Sequence, residues 1–231
     1  MQLIYICFHS TTYHFSPPHL QDLEATIKEI CEKFASNTIC WFVESVLNTV
    51  IEKSERARVA SGGLLSAMVA RGVLGEGQYL SALDSILQIA EDLLVDIPKF
   101  WDFMAQIVAP CLVPQGPLHL STLKEAAATA KLMEGSLGSR CAAGKFAAAV
   151  LHQMGKQGHS TVAAAWKESG LTWLEFLPAT TEVGQFVADN KLEWLEEEGA
   201  ALPVTRTKEG VAEELARSGL FLAPSTIAPT G

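Results

Sequence analysis

The stretch LDSILQIAEDLLVDIPKFWDFMAQIVAPCL, residues 83–112, decides how this chain folds. Apolar residues stand at Leu83, Ile86, Leu87, Ala90, Leu93 and Leu94, and again at Phe100, Phe103, Met104, Ile107, Val108 and Cys111. Both series follow the i, i+3, i+4, i+7 spacing of an amphipathic helix. The spacing predicts two helices meeting at an acidic corner, Asp96-Ile97-Pro98. Asp96 is expected to N-cap the second helix, with Pro98 in its first turn, where a missing N–H is harmless. Such a corner leaves Asp92 and Asp96 outside a packed helical hairpin, as a recognition surface rather than a catalytic one.

The same periodicity extends outward. Leu20, Leu23, Ile27, Ile30 and Phe34 form one stripe, and Ile39, Phe42, Val43, Val46, Leu47 and Val50 form a second. Ala57, Ala60, Leu64, Leu65 and Met68 form a third, stopped by Arg71-Gly72. The pair Gly62-Gly63 inside that third stripe costs roughly 1 kcal/mol per Gly relative to Ala, so a kink or a close helix contact is expected there. The segment PCLVPQGP, residues 110–117, is the clearest break. Beyond it come an Ala-rich stripe at Leu123, Ala126, Ala127 and Ala130, then Phe146, Ala149, Val150 and Met154. Val162, Ala165 and Trp166 read as a short helix, and Val183, Phe186, Val187, Trp194 and Leu195 as the last strong one. Strand signals are nearly absent. The expectation is an all-α fold of stacked antiparallel helical hairpins, with no strict repeat. Residues 1–19 read as a leader and 20–199 as the helical domain, with 110–120 a candidate sub-boundary. Residues 200–231 read as a mostly disordered tail, with a weak helix at 211–217.

Composition narrows the function classes. The 231 residues are 48% hydrophobic and 19% charged, which is a globular balance. A net charge of -9 argues against wrapping nucleic acid and suits a partner with a basic surface. The cysteines Cys7, Cys31, Cys40, Cys111 and Cys141 include no C-x-x-C pair, and read as buried free thiols in a reducing compartment. The apolar start, residues 1–8, falls far short of the ~20 residues that span a bilayer, so the chain reads as soluble and cytoplasmic.

Signals for catalysis are weak. His9, His14, His19, His119, His152 and His159 have neither H-E-x-x-H spacing nor a neighbouring Cys pair, so no metal site is expected. There is no G-x-S-x-G elbow and no phosphate-cradling G-x-x-x-x-G-K-[ST] loop. Glu91, Asp92 and Asp96 could form an acid/base set, but on the exposed side of a helix nothing desolvates them to tune a pKa. The cluster of Glu193 and Glu196–Glu198 beside Trp194 reads as a solvated helix end. Trp101, Trp166 and Trp173 read as core or half-buried packing. Lys53, Arg56 and Arg58 could touch RNA, although Glu52 and Arg56 make an ordinary i, i+4 pair. The chain is not expected to be an enzyme or to hold a cofactor.

Three stretches resemble a known family: FVESVLNTVIEKSERAR (42–58), GQYLSALDSILQIAEDLLVDIPKFW (77–101, continuing to Val108-Ala109-Pro110), and VAAAWKESGLTWLEFLP (162–178, continuing as VGQFVADNKLEW, 183–194). Together they resemble the MA-3 region of eukaryotic translation initiation factor 4 gamma over roughly residues 37–198. The resemblance implies an MA-3 type α-solenoid of HEAT-like hairpins. It also implies docking of the DEAD-box RNA helicase, initiation factor 4A. In related MA-3 modules, acidic residues just before the D-x-P corner face arginines of the helicase. The matching positions here are Asp92, Asp96 and Pro98, and an acidic rim on a rigid hairpin is physically suited to pairing with Arg.

Under that resemblance the chain is a translation-initiation scaffold module supporting cap-dependent messenger RNA recruitment. The alternative is a stand-alone MA-3 module that sequesters the helicase and inhibits translation. Messenger RNA and other initiation factors would be reached only through the assembly. The chain shows no cap-binding-protein motif and no kinase-binding domain. Residues 1–19 match nothing in the family, residues 20–34 match it loosely, and V-A-S-G-G at 59–63 replaces a more polar segment.

Overall fold

The computed structural model describes residues 20–132 and 141–196. The leader, the tail and its weak helix all lie outside the described residues, as do Cys7, His9, His14, His19, Glu197 and Glu198. Every element among the described residues is helical: α1 (Leu20–Lys33), α2 (Ile39–Val50), α3 (Glu55–Ala70), α4 (Glu76–Leu87), α5 (Ala90–Asp96), α6 (Phe100–Leu112), α7 (Thr122–Leu132), α8 (Ala142–Gly155), α9 (His159–Ser169), a 3₁₀ turn (Trp173–Glu175) and α10 (Val183–Asp189). The fold is all-α, a stack of antiparallel HEAT-like hairpins.

Side-chain pairs fix the directions. Cys40 Sγ lies 3.6 Å from the Gln78 carbonyl oxygen, and Ser85 Oγ donates to Glu44 at 3.0 Å, so α2 and α4 run the same way. Thr122 donates to Glu76 at 2.9 Å and Thr129 donates to Asp84, which sets α7 parallel to α4. These three helices form one layer. In the other, Arg58 reaches Gln106 at 2.6 Å and Ser66 Oγ donates to the Pro110 carbonyl at 2.9 Å, so α3 and α6 are parallel. Helix α8 packs against both α6 and α7. The connections at 51–54 and 88–99 consequently leave the stack at the same edge.

The apolar stripes do the packing expected of them. Ile39, Phe42, Val43, Val46, Leu47 and Val50 are all buried on α2, and one core cluster runs from Ile27 to Leu195. Ser54 caps α3, accepting from the Ala57 N–H at 3.3 Å. Helix α3 passes through Gly62-Gly63 unbroken and ends at Arg71, with Gly72 left-handed at φ 69°. The glycine pair marks a close contact, since a Cβ on Gly62 would stand 2.5 Å from the Ile107 carbonyl oxygen. At Gly63 a Cβ would meet nothing within 4 Å, so only one of the two glycines is required by packing.

Several boundaries differ from the sequence reading. The apolar series from Leu83 to Leu94 is two helices, broken at Gln88 and Ile89. Asp96 is the last residue of α5 and does not cap α6, whose N-cap is Lys99; Pro98 therefore precedes the cap instead of occupying the first turn. Pro110 lies inside α6, which continues to Leu112. Helix α10 stops at Asp189, and Lys191 at φ 54° redirects the chain into a separate helical turn bearing Trp194 and Leu195. That turn is held by His159, whose ring stacks on Trp194 at 4.3 Å, and by His152 Nε2, which lies 2.6 Å from the Asn190 carbonyl oxygen.

Candidate docking surface

The acidic corner is built from below. Helix α6 starts with Phe100, which is fully buried; its ring lies 5.1 Å from Trp101, which in turn lies 5.9 Å from Phe146 of α8. One turn further on, Arg58 of α3 grips the same helix. Its guanidinium donates to Gln106 and sits 3.6 Å from the centre of the Phe103 ring. It also donates to the carbonyls of Ile51 (3.4 Å) and Lys53, in the neighbouring connection. Arg58 is buried, and desolvation lowers its pKa from the usual range. A guanidinium remains charged regardless. Of the three basic residues weighed for RNA contact, Arg58 is therefore a structural clamp. It ties the 51–54 connection to the helix that carries the corner.

On that base stands α5. Seven residues are marginal as a free helix. Ala90 is buried, and Leu93, Leu94 and Ile97 are partly buried against the core. The Ile97 N–H donates to Leu93 at 2.8 Å, and the Phe100 N–H donates to Ile97 at 3.0 Å, so the chain turns from α5 into α6 through backbone bonds.

The outward arc holds the sequence-predicted residues. Asp92, Asp96 and Pro98 are all exposed. Asp92 and Asp96, four apart, share one helix face. Neither carboxylate makes a hydrogen bond or an ion pair among the described residues. Glu91 departs from the expectation: it is half-buried, with Oε1 enclosed and lacking a hydrogen-bond partner. Asp102, exposed in the first turn of α6, adds negative charge where the helix dipole favours it.

Two members of this surface escape a reading of the sequence. Val95 is 81% exposed and Ile89 43%. The signal is present all the same, since Val95 falls off the inward stripe of Ala90, Leu93, Leu94 and Ile97, which makes it an apolar residue on a polar arc.

Elsewhere the chemistry is sparse. Among the described residues no group of three His, Cys, Asp or Glu could hold a metal ion, and no helix is long and apolar enough to cross a membrane. The four described cysteines are free, but only Cys111 is buried; Cys31 is exposed, against the sequence reading. Burial pushes the Cys111 thiol up to about 11, and drives the phenol of its neighbour Tyr79 well above its ordinary value. A shallow hollow at the opposite edge, between Gly63, Ser66, Ala70, Pro110 and Val113, is lined by small, apolar and uncharged residues.

Comparison with known proteins places the chain. It is 32% identical over 197 residues to eukaryotic translation initiation factor 4 gamma 1 of Mus musculus, across 82% of this chain and 11% of that protein. The chain is similar to one region of the initiation factor 4 gamma proteins, consistent with an MA-3-like module. Eukaryotic translation initiation factor 4 gamma 3 of Homo sapiens is 28% identical over 199 residues, covering 85% of this chain and 12% of the relative. The gamma 1 protein of Oryctolagus cuniculus is 29% identical over 210 residues, covering 86% and 14%. The chain thus spans a small part of the initiation factor 4 gamma proteins it matches. No family model matches it. The similarity covers most of the helical stack and agrees with the MA-3 type solenoid expected from the sequence.

Proposed function

We propose that this chain is a translation-initiation scaffold module that docks the DEAD-box RNA helicase, initiation factor 4A. Docking is through Asp92, Asp96 and Pro98. The observation that carries the reading is two exposed, unpaired carboxylates one helical turn apart on a braced corner, in a chain similar to a region of the initiation factor 4 gamma proteins. Charge-assisted pairing of such carboxylates with arginine is geometrically specific. Because α6 and Arg58 hold the corner, little ordering entropy is lost on binding. In this reading the module works in the cytoplasm and reaches messenger RNA through the assembly. ATP hydrolysis belongs to the helicase.

The test is a calorimetric titration of helicase into the full chain, wild type against Asp96→Lys, at low and moderate salt. Binding that weakens with salt and disappears in the variant is expected. A folded wild-type chain that fails to bind would overturn the proposal.

A further inference from the structure

We infer that Val95 and Ile89 are specificity-determining parts of the docking corner, resting on the helicase reading above. They form apolar flanks that cover the aliphatic stems of the arginines paired with Asp92 and Asp96. With about 100° of rotation per residue, the outward arc of α5 reads Val95, Asp92, Asp96, and continues to Ile89 at its N-cap. Each carboxylate therefore has an exposed apolar neighbour beside it. Val95 is 81% exposed, the most exposed large apolar residue among those described. Ile89 adds a second apolar surface at 43% exposure.

Charge alone does not account for a strong site at this place. Solvent-exposed ion pairs contribute little, because water screens them and two long side chains must be ordered. An apolar rim that excludes water changes this, which is how neutral contacts support a central hot spot. Arginine suits the arrangement, since its methylene stem lies on apolar surface while the guanidinium reaches a carboxylate. The partner that fits is a folded protein presenting arginines on its surface. Lysine, a compact and strongly hydrated point charge, would gain less from the flanks.

The experiment is calorimetric titration of the helicase into the full chain bearing Val95→Ser, Val95→Asp or Asp96→Asn. The exposure of Val95 means that none of these changes should disturb the fold, which circular dichroism checks. We expect Val95→Ser to raise Kd about five- to tenfold. Val95→Asp adds a negative charge to a site that attracts cations, and yet should also weaken binding. Unchanged affinity in Val95→Ser, with tighter binding in Val95→Asp, would mean that the corner works by charge alone. The inference would then fall, while loss of affinity in Asp96→Asn would leave the docking reading standing. Absence of binding by the wild-type chain removes both.

Discussion

The seam between α3 and α6 and the corner at α5 lie a few residues apart and use their side chains in opposite ways. At the seam, Gly62 lets two backbones meet, Ser66 satisfies the Pro110 carbonyl, and Arg58 satisfies Gln106 and two further carbonyls. At the corner, Asp92 and Asp96 bond to nothing among the described residues and Val95 faces outward. The seam is closed in on itself, while the corner is unfinished. A region whose polar groups are engaged sets structure, and one whose groups are free but firmly held suits the docking role proposed for it.

The sharpest way to break this contrast is Gly62→Ala. A methyl group 2.5 Å from the Ile107 carbonyl oxygen forces the two helices apart. A loss on the order of 3 kcal/mol or more is expected, measured by urea unfolding. A loss below about 1 kcal/mol would show that the seam is slack. Next comes Arg58→Met, which keeps the stem but strips donors from Gln106 and the connection carbonyls. Unsatisfied buried acceptors predict a loss of about 2–3 kcal/mol, with faster hydrogen exchange in residues 51–54.

The buried thiol gives a pH test of the same layer. Cys111 ionises later in the folded chain, near 11, than in the unfolded one, near 8.5. Its contribution is therefore complete below about pH 8.5 and declines as pH rises through the folded value. The urea midpoint should fall between about pH 8 and pH 10.5, by an amount equivalent to roughly 2 kcal/mol from this thiol. The fall should be smaller in Cys111→Ala, where Tyr79 still contributes. An identical fall in both proteins would show that Cys111 plays no part.

Smaller effects sharpen the contrast from the other side. Gly63→Ala meets open space and should stabilise the chain by about 0.5–1 kcal/mol. A loss comparable to that of Gly62→Ala would show that the seam is wider than its contacts indicate. Asp92→Asn and Asp96→Asn should move stability by no more than about 0.5 kcal/mol, since neither carboxylate serves the fold.

Helical spacing alone places the buried faces of α2 and α4, because a 3.6-residue period admits one apolar stripe per helix; on α3 it finds Leu64, Leu65 and Met68 but selects the half-buried Ala57 and Ala60 where Arg58, Ser61 and Gly62 are buried. The outward position of Asp92 and Asp96 follows from the same stripe. Other features depend on tertiary contacts that no local pattern encodes. The break at Gln88 and Ile89 interrupts an unbroken apolar series. Pro110 reads as a terminator, yet α6 continues past it. Arg58 looks like a surface cation, and only the parallel packing of α3 on α6 brings Phe103 and Gln106 to it. Val95 is hidden for the opposite reason, as a valine in an apolar helix draws no notice until its direction is known.

The placement of Arg58, Gly62 and Ser66 along α3 has a consequence for how such a chain can change. All three hold α6 from within its length, so its register does not depend on what precedes Phe100. The connection ahead of it can lengthen, shorten or take on a new short helix without shifting the stack. The 88–99 connection is an interchangeable fitting on a fixed mount, and if it docks a partner as proposed, related chains could acquire new partners by changing it while the rest of the molecule stays as it is.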